Sequence, residues 1–163
     1  MRVRTHEAMH NLSQALAKVV SGAFVLTLKD DVGAPHAIVV SFVQQVGFDP
    51  PRLVISLFKE RDIVPILDNA GAFVLNVVAD GEQGILRQFG DAPQEAARAL
   101  TALGATACGN GYALPQAAAH LVCKVVHRVD ISDHWLYIVD VNEGAAVEGR
   151  SPLVHLRRSG LRY

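Results

Sequence analysis

Only two cysteines, Cys108 and Cys123, occur in 163 residues, without a CxxC spacing or partners for a zinc site. Nothing in the spacing supports a disulfide between them. Cys123 lies in an apolar run and reads as a small buried core residue. Charge of one sign is also lacking, since fifteen Lys and Arg face sixteen Asp and Glu for a net charge of -1. That balance argues against a nucleic-acid partner, which would call for a basic face. No apolar stretch reaches the roughly 18 residues of a membrane span. No apolar signal core follows Met1 to His6. A soluble protein of the reducing cytoplasm, with no membrane partner, is therefore expected. No GxGxxG follows a predicted strand, which argues against a Rossmann nucleotide site, and there is no GxSxG elbow or HExxH pair.

Half of the residues are hydrophobic, enough for a sizeable core, and the length fits a single domain over 1–163. Met9, Leu12, Leu16 and Val19 recur at helical spacing behind a capping Thr5. Strands are predicted at 22–28 and 36–43, with turn chemistry at 29–33 between them. Gly47 and the Pro50-Pro51 pair should break the second strand. A third strand follows at 53–58. Asp62 should cap a short helix holding Ile63, Ile66 and Leu67, which Gly71 ends. A fourth strand covers 73–78, helices cover 82–89 and 93–103, and Cys108 to Pro115 reads as a loop. Two late strands, 121–129 and 134–141, are joined by a turn at 130–133.

Strands and helices do not alternate strictly, so a doubly wound parallel sheet is disfavoured. At least six strands with short links favour a closed antiparallel sheet, which removes exposed edges. The fold class expected is therefore mainly β with flanking helices.

The chemistry-bearing signals are few. His6 and His10 stand four apart on the first helix, a metal-compatible spacing, yet no third ligand is visible and an exposed pair is the plainer reading. Ser41 to Pro51 places Ser41, Gln44 and Gln45 near a strand end. That pattern suits either a planar hydrogen-bonding ligand or an ordinary strand-to-loop passage. Lys59 and Arg61 flank a helix start, which suits either a phosphate or a solvated charged turn.

Taken in order, these stretches resemble the flavin reductase-like family of FMN-binding split barrels. The resemblance rests on Ser41-Phe42 through Asp49-Pro50-Pro51, Lys59 with Arg61, Phe73 to Val77, Asp133-His134, and the closing Pro152 to His155 with Gly160 and Tyr163. It runs from about residue 12 to the C-terminus. Gln45, Lys59 with Arg61, and Asp133-His134-Trp135 look closest to the flavin reductase-like domain attached to some flavodiiron proteins, here expected to stand alone. Gln44 and Gly47 depart from the small hydroxyl residues common in the family, and Val39-Val40 from its small residues. These departures bear on the ring contacts.

The resemblance implies a six-stranded antiparallel Greek-key split β-barrel, usually a homodimer, with FMN or FAD near the dimer interface. It implies that Ser41, Phe42, Val43, Gln44 and Gln45 face the flavin ring or ribityl chain. Lys59 and Arg61 would hold the phosphate and Asn76 would help frame the site. Phe89 would close the pocket, Trp135 would line it, and His134 would stand near the ring as the catalytic candidate. The activity implied is hydride transfer from NADH or NADPH to flavin N5, without a nucleophile or general base. Electrons would then pass to a partner oxygenase or an electron-transfer protein. Other readings on the same fold are a non-catalytic flavin or haem carrier and an oxidase of a vitamin B6 phosphate. A purely structural protein would take up no flavin.

Overall fold

The computed structural model describes residues 5–89 and 95–161. Three α-helices are described: α1 (His6–Leu16), α2 (Ile63–Ala70) and α3 (Ala96–Ala102), with a 3-10 helix at Gln83–Gln88. Eleven strands are described: β1 (Ser21–Gly22), β2 (Phe24–Lys29), β3 (Pro35–Val40), β4 (Val43–Phe48), β5 (Pro51–Phe58), β6 (Ala72–Val78), β7 (Thr106–Cys108), β8 (Gly111–Ala113), β9 (Ala117–Ile131), β10 (His134–Ala146) and β11 (Val154–His155). Seven of them form one sheet in the order β3-β2-β6-β9-β10-β5-β4, with every pairing antiparallel.

The expected six strands are therefore seven. The predicted strand over 36–43 divides at Ser41-Phe42, where Val43 N–H donates to the Ser41 carbonyl at 3.1 Å. Beyond that corner β4 leaves β2 and pairs with β5. Gly47 does not end β4. It sits at a register shift opposite Arg52, a bulge within the pair. The two edge strands, β3 and β4, are consecutive in the chain and separated by two residues. The sheet must therefore coil, since Ser41-Phe42 alone carries the chain from one edge strand to the other.

Both faces of the sheet are buried near β2, which explains its unbroken apolar run. Leu26 and Leu28 join Ile55, Phe73, Leu75 and Tyr137 inside the coil. Val25 points the other way, with Ile85, Phe89, Leu100 and Leu114 under the 3-10 helix and α3. Strand β5 alternates cleanly instead, with Leu53, Ile55 and Leu57 buried between less buried neighbours.

Local signals account for several boundaries. The Thr5 hydroxyl accepts from Ala8 N–H at 3.3 Å and starts α1. Gly71, at φ +63°, ends α2 by donating to the Leu67 carbonyl at 2.9 Å. Asp62 stands before α2 but makes no capping bond with its side chain. The helix at 82–89 tightens to a 3-10 helix, and the one at 93–103 is described only from 95, its start at Pro93 lying outside the described residues.

The segment read as a loop at 108–115 is a small hairpin, β7–β8, held by two buried polar side chains of the sheet. The Thr27 hydroxyl donates to the Tyr112 carbonyl at 2.8 Å and accepts from Tyr112 N–H at 2.9 Å. A Cβ at Gly111 would fall 2.4 Å from the Thr27 carbonyl oxygen, so this close approach needs glycine.

Both cysteines are free, and burial pushes the Cys123 thiol up to about 12. His6 and His10 are exposed on α1, and no group of three or more metal-ligating side chains occurs among the described residues. Among those residues no helix is long and apolar enough to cross a membrane.

Candidate functional site

The corner between β3 and β4 exposes backbone and short polar side chains at the rim of the coiled sheet. Strand β5 runs beside it, with Ser56 N–H donating to the Phe42 carbonyl at 2.9 Å. The chain beyond β5 crosses this rim at Arg61, and the C-terminal segment crosses it again at Arg157 and Arg158. Three cavities open here and share lining residues.

The first, about 450 Å³, lies between the end of β3 and the C-terminal segment, with Ser41, Arg61, Arg157 and Arg158 in its wall. The second, about 330 Å³, is lined by Phe42, Phe58, Asp133, His134 and Arg157. The third is a groove of about 630 Å³ with apolar walls from Phe24, Val54, Val77 and Leu136, and Ser41, Ser56 and Gln44 supply polar groups along it. Ser41 belongs to the first and third cavities, and Arg157 to all three. Such volumes are in the range of small-molecule and cofactor sites.

Aromatic groups and charges converge on Phe42. The Arg157 guanidinium carbon lies 4.7 Å from its ring centroid. The His134 ring is 6.0 Å away, tilted at 53°, and packs edge-on against Phe58 at 5.6 Å. The His134 side chain is 15% exposed, and its Nδ1 pairs with Asp133 Oδ1 at 2.8 Å. That bond holds the Asp133 carboxyl below the usual carboxylate range. Among the described residues, the buried Arg157 Nε and Ser21 Oγ have no hydrogen-bond partner, and both residues line the groove.

The structure brings together Ser41, Phe42, Val43, Gln44, Arg61 and His134 from the sequence-predicted set. It sends the others elsewhere. The Lys59 ammonium donates to Asp130 Oδ1 at 2.7 Å and lies 4.6 Å from the Trp135 ring centroid. Arg61 and Lys59 are thus separated. The reason is the strand-end register, which sets Lys59 beside the β9–β10 turn, with its N–H on the Asp133 carbonyl at 3.0 Å. Trp135 is held between Lys59 and Arg128, whose guanidinium carbon is 3.9 Å from its ring. Gln45 is exposed, and its amide donates to the Gly47 carbonyl within β4. Asn76 is 0% exposed and its carboxamide is used up by the backbone. Phe89 is 3% exposed and packs in the outer core. None of these five is among the described residues lining the three cavities.

Arg157 and Arg158 were not singled out from the sequence. Two adjacent arginines near a chain end are a weak signal, because what they pack against lies more than a hundred residues away.

A family model described as "Flavin reductase like domain" matches residues 16–161, nearly the whole described chain. The chain belongs to the flavin reductase-like family. Among its relatives, diflavin flavoprotein A 1 of Synechocystis sp. (strain ATCC 27184 / PCC 6803 / Kazusa) is 31% identical over 161 residues. The alignment takes in 94% of this chain and 27% of that protein. This flavin reductase-like domain thus spans less than a third of the length of the curated relatives it matches. Solved structures that share its fold include two flavin reductases. The NADH:FAD oxidoreductase SgcE6 of Streptomyces globisporus C-1027 superposes with a TM-score of 0.83 at 18% identity, covering 99% of this chain and 95% of that one. The styrene monooxygenase flavin reductase SMOB of Pseudomonas putida S12 gives 0.72 at 25% identity, covering 86% and 89%.

Proposed function

We propose that this flavin reductase-like domain binds FMN, or FAD through the same atoms, in the joined cavities and reduces it with NADH or NADPH. The observation that carries the reading is the Ser41-Phe42 corner, where a cavity walled by arginines runs into a groove with apolar sides. A phosphorylated, planar, hydrogen-bonding molecule matches that pairing. The unpaired Ser21 Oγ fits it as well, since a flavin's carbonyl and ring-nitrogen acceptors are what that donor lacks. Family membership supports the reading. So does a fold neighbour described in complex with NAD and FAD fragments.

When bound, the flavin ring supplies the redox chemistry by accepting hydride at N5. The protein binds, orients and sets the local charge. Arg61 holds the phosphate end. Ser41, Gln44 and the corner backbone from Phe42 to Val43 hold the polar edge of the ring system. Phe42 supplies a flat apolar face. His134, oriented by Asp133, is the residue we propose as catalytic, standing where the nicotinamide approaches.

The sheet closes, in this reading, as a Greek-key split barrel at the Ser41-Phe42 corner. A second copy covers edge strand β4, where Val46 is 54% and Phe48 90% exposed. The unit works as one cytoplasmic domain and hands electrons to an oxygenase or another flavoprotein.

A second reading is favoured by the matched diflavin flavoproteins, longer chains in which a domain of this kind is one part. On this second reading the flavin stays resident in the domain and relays electrons without oxidising nicotinamide. Anaerobic addition of NADH or NADPH to the FMN-loaded protein separates the two. Bleaching of the flavin band is expected. A band that persists with both donors, in protein that has bound FMN, rejects the reductase reading in favour of the carrier.

A further inference from the structure

We infer that Arg157 and Arg158 complete, with Arg61, a phosphate-binding pocket, and that residues 156–158 form a strap across it. The flavin reading supplies the ligand's identity, while its charge follows from the pocket itself.

The strap is tied down at both ends. On one side Leu153 is buried and its N–H donates to the Val78 carbonyl at 2.8 Å, and β11 pairs with β1 through Ser21 and His155. On the other side Gly160 N–H donates to the Ser13 carbonyl at 3.0 Å, and the Ser159 and Ser13 hydroxyls meet at 2.9 Å. A Cβ at Gly160 would lie 2.1 Å from the Leu16 Cβ, so the chain rests directly on α1. Between these ties the chain passes the end of β3, and Arg157 donates to the Leu16 carbonyl at 3.2 Å, at the C-terminal end of α1.

Three guanidinium groups line this one cavity, joined by His155, and no carboxylate is among its described lining residues. Arginine stays protonated at any relevant pH, so its charge cannot be shed as a lysine's can. Arg157 and Arg158 are adjacent like charges on one strap, and a bound anion offsets their repulsion. Arg157 Nε is buried without an acceptor, although the same guanidinium satisfies one of its NH2 groups on Leu16. A phosphate oxygen supplies the missing acceptor in the paired geometry that guanidinium favours. Lys59, outside this cavity, pairs with Asp130. The strap therefore contributes the second and third positive charges for a phosphate monoester or pyrophosphate.

The test compares wild type, Arg157→Gln, Arg158→Gln and the double variant. FMN and riboflavin are titrated by flavin fluorescence, and the melting temperature is followed with added inorganic phosphate. Arg158 is exposed, so its variant keeps the fold even if Arg157→Gln loosens the contact with Phe42. Each single change is expected to weaken FMN binding by about tenfold. Riboflavin affinity should stay within about twofold, and the stabilisation by phosphate should vanish in the double variant. FMN affinity that survives both changes, or equal losses of FMN and riboflavin, overturns the proposal. A wild type that ignores both flavins, yet is stabilised by phosphate through these arginines, upholds the pocket and overturns the flavin reading instead.

Discussion

Arg61→Ala should weaken FMN binding by about 10- to 100-fold while leaving riboflavin within about threefold. A charge-assisted hydrogen bond to a phosphate contributes about 1.5–3 kcal/mol, which sets that range. Riboflavin carries the same ring and ribityl chain without the phosphate, so it isolates the contribution of the anion. Arg61 is partly buried at the wall of the first cavity, beside Ser41. Lys59→Ala serves as the comparison. Its ammonium is spent on Asp130 and the Trp135 face, outside the cavity, so FMN affinity should change by less than about threefold. Fluorescence titrations of the two variants decide the matter. If Arg61→Ala costs both flavins equally, Arg61 shapes the cavity and holds no phosphate.

Asn76→Ala should lower stability by about 3 kcal/mol, because it removes three hydrogen bonds from the interior at once and leaves the Leu114 N–H without its acceptor. The Asn76 amide donates to the Val25 carbonyl at 3.2 Å and the Tyr112 carbonyl at 3.0 Å, and its oxygen accepts from Leu114 N–H at 2.8 Å. Water cannot replace these partners at a site that is 0% exposed. A change of this size corresponds to a fall in melting temperature of about 10 °C for a chain of this length. Asn76→Asp should do no better, since an ionised carboxylate has no donor for the two carbonyls. Equilibrium unfolding in urea measures the effect. A loss below about 1 kcal/mol would mean that the β7–β8 hairpin is held by Thr27 and packing alone.

The elements most legible in the sequence are those whose reasons are local. Thr5, Gly71 and the alternation along β5 act within a few residues, and they appear where pattern reading puts them. The division of one predicted strand into β3 and β4 was not legible. Ser41-Phe42 carries no glycine or proline, and the turn exists because β4 finds its partner in β5. The hairpin at 106–113 was missed for a similar reason. It depends on Thr27 and Asn76, which lie 85 and 36 residues from Tyr112.

The candidate site divides along the same line. Ser41, Phe42, Val43 and Gln44 are contiguous, so one strand end delivers them together. Lys59 and Arg61 look alike as a sequence pair. Their separation rests on Asp130, 71 residues on from Lys59, and on the register that seats the β9–β10 turn beside β5. Asn76 reads as a site residue because a polar amide in an apolar strand begs for a ligand, and here the ligand is the protein's own backbone. Phe89 is held among Ile85, Leu100 and Leu114 by packing that no local pattern encodes. The arginines of the C-terminal segment matter only once that segment is folded back on α1.

The most direct measurement is a crystal structure of the protein grown with FMN. The account places the phosphate within hydrogen-bond reach of Arg61 and the C-terminal arginines, with the ring running from the Ser41-Phe42 corner into the groove. A bound flavin whose phosphate pairs only with Lys59, or clear density for protein with these cavities holding no flavin, would contradict it.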